Sequence, residues 1–102
     1  MIHSSLQSLL PSIRQSMQKH KILRGYIFGS AVRETFNERS DIDIVVDVDD
    51  TIEPVELGGH LWDLQCELES LLSRKVDLLT SRALKNKYFI KEVDATKELI
   101  YG

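Results

Sequence analysis

Two aspartates, Asp41 and Asp43, stand at alternate positions of the otherwise apolar run DIDIVVDV, residues 41–48. Aspartate is a poor strand former and costly to bury, so a strand carrying two of them calls for something that neutralises them. At i and i+2 both side chains leave one face of the strand, about 6–7 Å apart along it. A third carboxylate, Asp77, interrupts the run RKVDLL, residues 74–79, in the same way. If the two strands are neighbours, three carboxylates meet on one small surface, where they repel and raise each other's pKa. Magnesium resolves that conflict, because it binds through one or two carboxylates together with substrate phosphates. Two such ions, about 3.5–4 Å apart, can hold the attacking and leaving oxygens of an in-line phosphoryl displacement.

Gly29-Ser30 supplies the phosphate side of such a site. A strand that ends in glycine lets a phosphate approach the backbone closely. Ser30 at a helix start offers its hydroxyl, and the N–H groups that follow point at an anion. Together these residues describe a triphosphate held between a Gly-Ser turn and a metal-loaded aspartate edge.

The elements that must position them follow from periodicity. Leu6, Leu9, Leu10, Ile13 and Met17 recur at helical spacing, with Ser4 or Ser5 as N-cap and Pro11 kinking or restarting the helix. A short strand runs from Arg24 to Phe28, a brief helix from Ser30 to Glu34 and a loop from Phe36 to Ser40. Ile42, Ile44, Val46 and Val48 alternate with the aspartates and Val45 as a strand with two distinct faces. Asp49 to Pro54 is a turn. Leu57, Leu61, Leu64, Leu68, Leu71 and Leu72 form the strongest helical stripe of the chain. The third strand at 74–79, a helix near Leu84 to Val93 and an extended end at Leu99–Tyr101 complete an αβαβαβα(β) order. The fold class is α/β (α+β), a small mixed sheet with helices packed on one face.

Composition narrows the function. At 102 residues the chain is one domain, 1–102, with ordinary apolar (42%) and charged (28%) fractions. No apolar run is long enough to span a membrane, and the N-terminus lacks signal-peptide design, so the expected location is cytoplasmic. The single Cys66 excludes an internal disulfide, and His3, His20 and His60 show no metal-ligand spacing with it. A net charge of −3 argues against stable nucleic-acid binding, which needs a surplus of Lys and Arg on one face.

Gly29-Ser30, ten residues, then Asp41-Ile42-Asp43 resembles the GSx10DxD signature of DNA-polymerase-β-like nucleotidyltransferases. The wider stretches YIFGSAVRETFNERSDIDIVVD and LGGHLWDLQCELESLLSRKVDLLT resemble the minimal nucleotidyltransferase (MNT) group, from about Leu23 to Tyr101. Those are small proteins often encoded beside a HEPN-domain toxin, itself an all-helical fold. The resemblance implies that Asp41 and Asp43 ligate magnesium, with Asp77 as third ligand or general base. Gly29 and Ser30 would contact the β- and γ-phosphates of ATP, Arg33 would pair with a phosphate, and Ser40 would orient Asp41. It also implies the reaction: AMP moves from ATP to a hydroxyl, a tyrosine of the HEPN toxin, making this protein the antitoxin and a hetero-oligomeric partner. Two positions depart from the pattern, Glu34 and Ser73, where the family has glycine. Glu34 motivates a second expectation, an antitoxin of the same fold that neutralises by binding alone.

Other patterns carry less. Asp47 to Thr51, DVDDT, matches the nucleophile motif of haloacid-dehalogenase-type phosphatases, but the chain lacks the length and downstream acidic pair of that larger fold. Arg14 and His20 fit the loose motif of HEPN ribonucleases, an all-helical class that three strands exclude. Trp62 and Cys66, at i and i+4 of the long helix, read as packing residues, with an interface as the second reading for Trp62.

Overall fold

Pro11 restarts the first helix instead of kinking it. Helix α1 spans Ser4–Gln7 and α2 spans Leu10–Lys19, with the proline in the first turn of α2. Its missing N–H costs nothing there, because first-turn donors have no intrahelical partner. The computed structural model describes residues 2, 4–32 and 40–102. The loop expected from Phe36 and the end of the brief helix at Glu34 therefore fall outside the described residues.

Strand β1 (Ile22–Phe28) begins two residues before the expected Arg24 and runs into a 3-10 turn, Gly29–Val32. Strand β2 (Ile42–Val48) follows, then α3 (Pro54–Leu72) and β3 (Val76–Thr80). A second 3-10 turn (Ser81–Ala83), α4 (Lys87–Thr96) and β4 (Glu98–Tyr101) complete the order. The strands form one mixed sheet in the order β3-β2-β1-β4, with only β2 and β3 parallel. That one parallel pair needs a long crossover, which α3 provides.

Alternation along β2 divides the core in two. Ile42, Ile44, Val46 and Val48 face α2 and α3 in the main cluster, with Ile13, Met17, Leu64 and Leu68 among their buried neighbours. Contact there is tight: a Cβ on Gly25 of β1 would stand 2.5 Å from Met17 Sδ. The opposite face carries a smaller cluster of Phe28, Val45 and Val93. Helices were expected on one face, and α2 and α3 obey. Helix α4 takes the other, because Val93 lies inward on it and Phe89 meets Phe28 edge to face at 5.9 Å. Its first turn is held by Asn86, whose side chain accepts from the N–H groups of Tyr88 and Phe89.

Local chemistry closes the remaining ends. Ser73, standing where the family has glycine, adopts the left-handed conformation that ends α3 (φ 53°). The DVDDT stretch resolves as a turn: Asp49 accepts from the Thr51 N–H at 2.8 Å and from its hydroxyl at 2.7 Å, and these bonds hold the Asp49 carboxyl below its usual range. Among the described residues no helix is long and apolar enough to cross a membrane.

Candidate active site

Sheet register brings the carboxylates together. In the parallel pair β2–β3, Asp43 is the register partner of Asp77, so the two side chains leave the same face from neighbouring strands. In the antiparallel pair β1–β2, Asp43 stands opposite Phe28, which places it beside the residue that follows, Gly29. Asp41 lies just before β2 and is exposed, whereas Asp43 and Asp77 are half-buried.

Gly29 and Asp43 touch. Gly29 has φ +72°, and a Cβ built on it would fall 2.5 Å from Asp43 Oδ2. Both facts demand glycine: the backbone conformation is one that L side chains rarely adopt, and the space belongs to a carboxylate. The turn after β1 thus abuts the acidic edge.

Electrostatics mark Asp43 as the stressed member. Its pKa is raised to about 6, first by burial, then by the charge of Asp77 and a hydrogen bond shared with Asp77, and further by Asp41 and Glu92. With Asp43 titrating near 6, the metal-free pair takes up a proton only below that pH, at the place where a cation would otherwise stand. Among the described residues no three His, Cys, Asp or Glu side chains form a group that could hold an ion unaided. Magnesium does not need one, since it keeps several waters and is completed by substrate phosphates. An anionic pair flanked by Asp41 and by an open glycine turn fits that donor set.

The remaining expected residues divide. Ser40 precedes the site, where its carbonyl accepts from Arg74 Nη1 at 3.2 Å, and the Ile42 N–H donates to the Lys75 carbonyl at 3.0 Å. The backbone leading into Asp41 is thereby tied to the segment leading into Asp77. Ser30 lies in the 3-10 turn Gly29–Val32. Arg33 falls outside the described residues. Glu92 was missed by sequence reasoning, because it reaches Asp43 from a helix on the second face. Its one signal was its place beside the inward-facing Val93.

A hollow of about 740 Å3 lies elsewhere, at the far ends of β2 and β3 among Val48, Ile52, Leu57, Thr80 and Arg82. A nucleotide held by its phosphates on an open turn needs no deep cavity, so the carboxylate edge remains the site that chemistry selects.

Known proteins match this chain over most of its length. The profile of the family Polymerase beta, Nucleotidyltransferase matches residues 12–102. MJ1217 of Methanocaldococcus jannaschii, which carries the name of a protein adenylyltransferase, is 40% identical over 84 residues, 82% of this chain and 80% of that protein. A chain from the crystal structure of a toxin–antitoxin with AMP-PNP superposes with a TM-score of 0.72 at 27% identity, over 91% of this chain and 73% of that one. A chain from the complex of a tri-AMPylated Shewanella oneidensis HEPN toxin with an MNT antitoxin superposes at 0.67 and 26% identity, over 94% and 71%.

Proposed function

The chain belongs to the polymerase beta nucleotidyltransferase family, and from that premise we propose that it transfers AMP from ATP to a hydroxyl of a partner HEPN toxin and so acts as the toxin's antitoxin. The observation that carries the reading is the meeting of Asp43, Asp77 and Gly29 at one point. Support for the partner comes from the relatives: the name of MJ1217 specifies protein adenylyl transfer, and the superposed complexes pair an antitoxin with a toxin, one of them AMPylated. On this reading the reaction is cytoplasmic and is carried out by one minimal domain.

Each residue has a definite part. Asp41, Asp43 and Asp77 would hold magnesium, which when bound neutralises their charge and that of the triphosphate. Gly29 leaves the backbone open to the β- and γ-phosphates, and Ser30 and Arg33 complete the anion contacts. Ser40 and Arg74 fix the approach of Asp41. The acceptor oxygen attacks the α-phosphorus, the bond from that phosphorus to the bridging oxygen breaks, and pyrophosphate leaves. Asp77 takes the hydroxyl proton. Alignment and charge placement supply most of the rate in phosphoryl-type transfers.

The test is transfer of label from α-labelled ATP, with magnesium, to the product of the neighbouring gene, which this reading expects to be a HEPN-domain protein. The expected result is covalent labelling that Asp41→Asn with Asp43→Asn abolishes. Equal labelling by the double variant, or no labelling by the unaltered protein, overturns the reading.

A further inference from the structure

Helix α3 is apolar on two opposite sides. Leu57, Leu61, Leu64 and Leu68 face the main core. About half a turn away, Val55, Gly59, Trp62 and Cys66 follow at spacings of four, three and four residues, the rhythm of a helix-docking seam. Among the described residues nothing covers this second stripe. Val55 is 80% exposed and Trp62 69%, Cys66 is exposed, and a Cβ on Gly58 or Gly59 would meet no atom within 4 Å.

A surface helix of a lone domain carries polar residues there. Glycine inside an exposed helix costs about 1 kcal/mol relative to alanine, and no internal contact requires either of these two. A pair of adjacent glycines next to an exposed tryptophan provides instead a place where another backbone can come close, with a large anchor beside it.

Charge selects the occupant. Every Asp, Glu, Lys or Arg of α3 is acidic, namely Glu56, Asp63, Glu67 and Glu69; Glu67 pairs with Lys19 and Glu56 meets Lys21 at 3.5 Å, and Glu56 and Asp63 border the stripe. A second copy would set like charge against like, which opposes self-pairing. We infer that this face docks a helix of the partner protein, one with apolar residues in the same rhythm and Lys or Arg on its flanks. The inference rests on the reading of the chain as one half of a toxin–antitoxin pair, and it assigns the standing contact of that pair. Helix α3 covers the sheet face opposite the one from which Asp43 and Asp77 project, so a partner seated on it leaves the catalytic edge open. Stable association and adenylyl transfer then use separate surfaces.

Trp62 is the only tryptophan of the chain, so its emission reads this surface directly. The experiment adds the HEPN-domain partner that this reading expects from the neighbouring gene, with any tryptophan of that partner replaced by phenylalanine, and follows emission and binding together. The expected result is a blue shift as the complex forms. Trp62→Glu, checked for its fold by circular dichroism, should weaken binding at least about 30-fold, and Asp63→Lys about 5-fold or more, with reduced salt sensitivity. A complex that leaves Trp62 emission unchanged, binds Trp62→Glu as tightly, or is replaced by self-association of this chain overturns the inference. AMP labelling in the same samples reports independently on the catalytic reading.

Discussion

The Cβ that Gly29 lacks would stand 2.5 Å from Asp43 Oδ2, so the phosphate turn and the acidic strand are built against each other. Gly29→Ala adds a side chain at φ +72° and drives it into that carboxylate. Left-handed strain and overpacking together should cost about 2–4 kcal/mol of stability, measured by urea unfolding. Because the clash is with one side chain, Asp43→Ala should relieve part of it. The double variant is expected to be at least about 0.5 kcal/mol more stable than the sum of the single effects. Strict additivity would mean that the two residues do not meet.

The raised pKa of Asp43 has a sign that can be read in the metal-free protein. Folded, the group titrates near 6, against 3.8 for an ordinary aspartate, with burial as the main cause and Asp77 next. Between those values the native state holds more proton than the unfolded chain, so this group's contribution to stability falls as pH rises from about 4 to about 6. In EDTA, the stability of the unaltered protein minus that of Asp43→Asn should decline across that window. Magnesium should reverse part of the decline, since a bound cation replaces the proton. A flat difference would place Asp43 in ordinary solvent.

A polar tie between α2 and α3 titrates in the opposite sense. Buried His20, at the C-terminal end of α2, hydrogen-bonds Glu67 through Nε2 and faces His60 with Nδ1 3.2 Å from Nδ1. The His20 contact is the main reason the Glu67 carboxyl titrates below its usual range, with Lys19 assisting. A depressed carboxylate contributes stability that is complete above its unfolded value, near 4.5, and lost as pH falls through the lower folded value. Glu67→Ala leaves a buried histidine nitrogen without its acceptor, at a cost of about 1–3 kcal/mol near neutral pH. Thermal unfolding should show the deficit at pH 7 and a smaller one in acid.

The aspartate edge was legible because strand period and carboxylate chemistry point the same way. Two aspartates at i and i+2 can only share a face, and Asp77 in a second apolar run implied a neighbour. Sequence could not say that Asp43, not Asp41, pairs with Asp77, since register is set by how β2 and β3 seat against α3. It also could not place Glu92. A ten-residue helix with Val93 as its one fully buried residue shows an apolar side but not which sheet face it meets, so that face is decided by tertiary packing such as Phe89 against Phe28. Pro11 was ambiguous for a simpler reason: a proline within a helical pattern fits both a kink and a restart, and only the end of α1 at Gln7 selects between them.

Asp77 separates proton transfer from ion binding. Its parallel register with Asp43 makes its charge one cause of the raised Asp43 pKa, and its exposed share of the edge lets it reach an acceptor. Asp77→Asn keeps the size and the strand but removes both the charge and the base. Loss of a general base lowers kcat by about 10²–10⁴-fold. At the same time the acid limb of the rate profile, set by Asp43, should move to lower pH, because burial then acts without the neighbouring charge. A residue serving only as an ion ligand would raise the magnesium requirement and leave kcat near normal at saturating metal. Full kcat at high magnesium would therefore assign Asp77 to ion binding alone, whereas a low kcat with a shifted acid limb assigns it the proton.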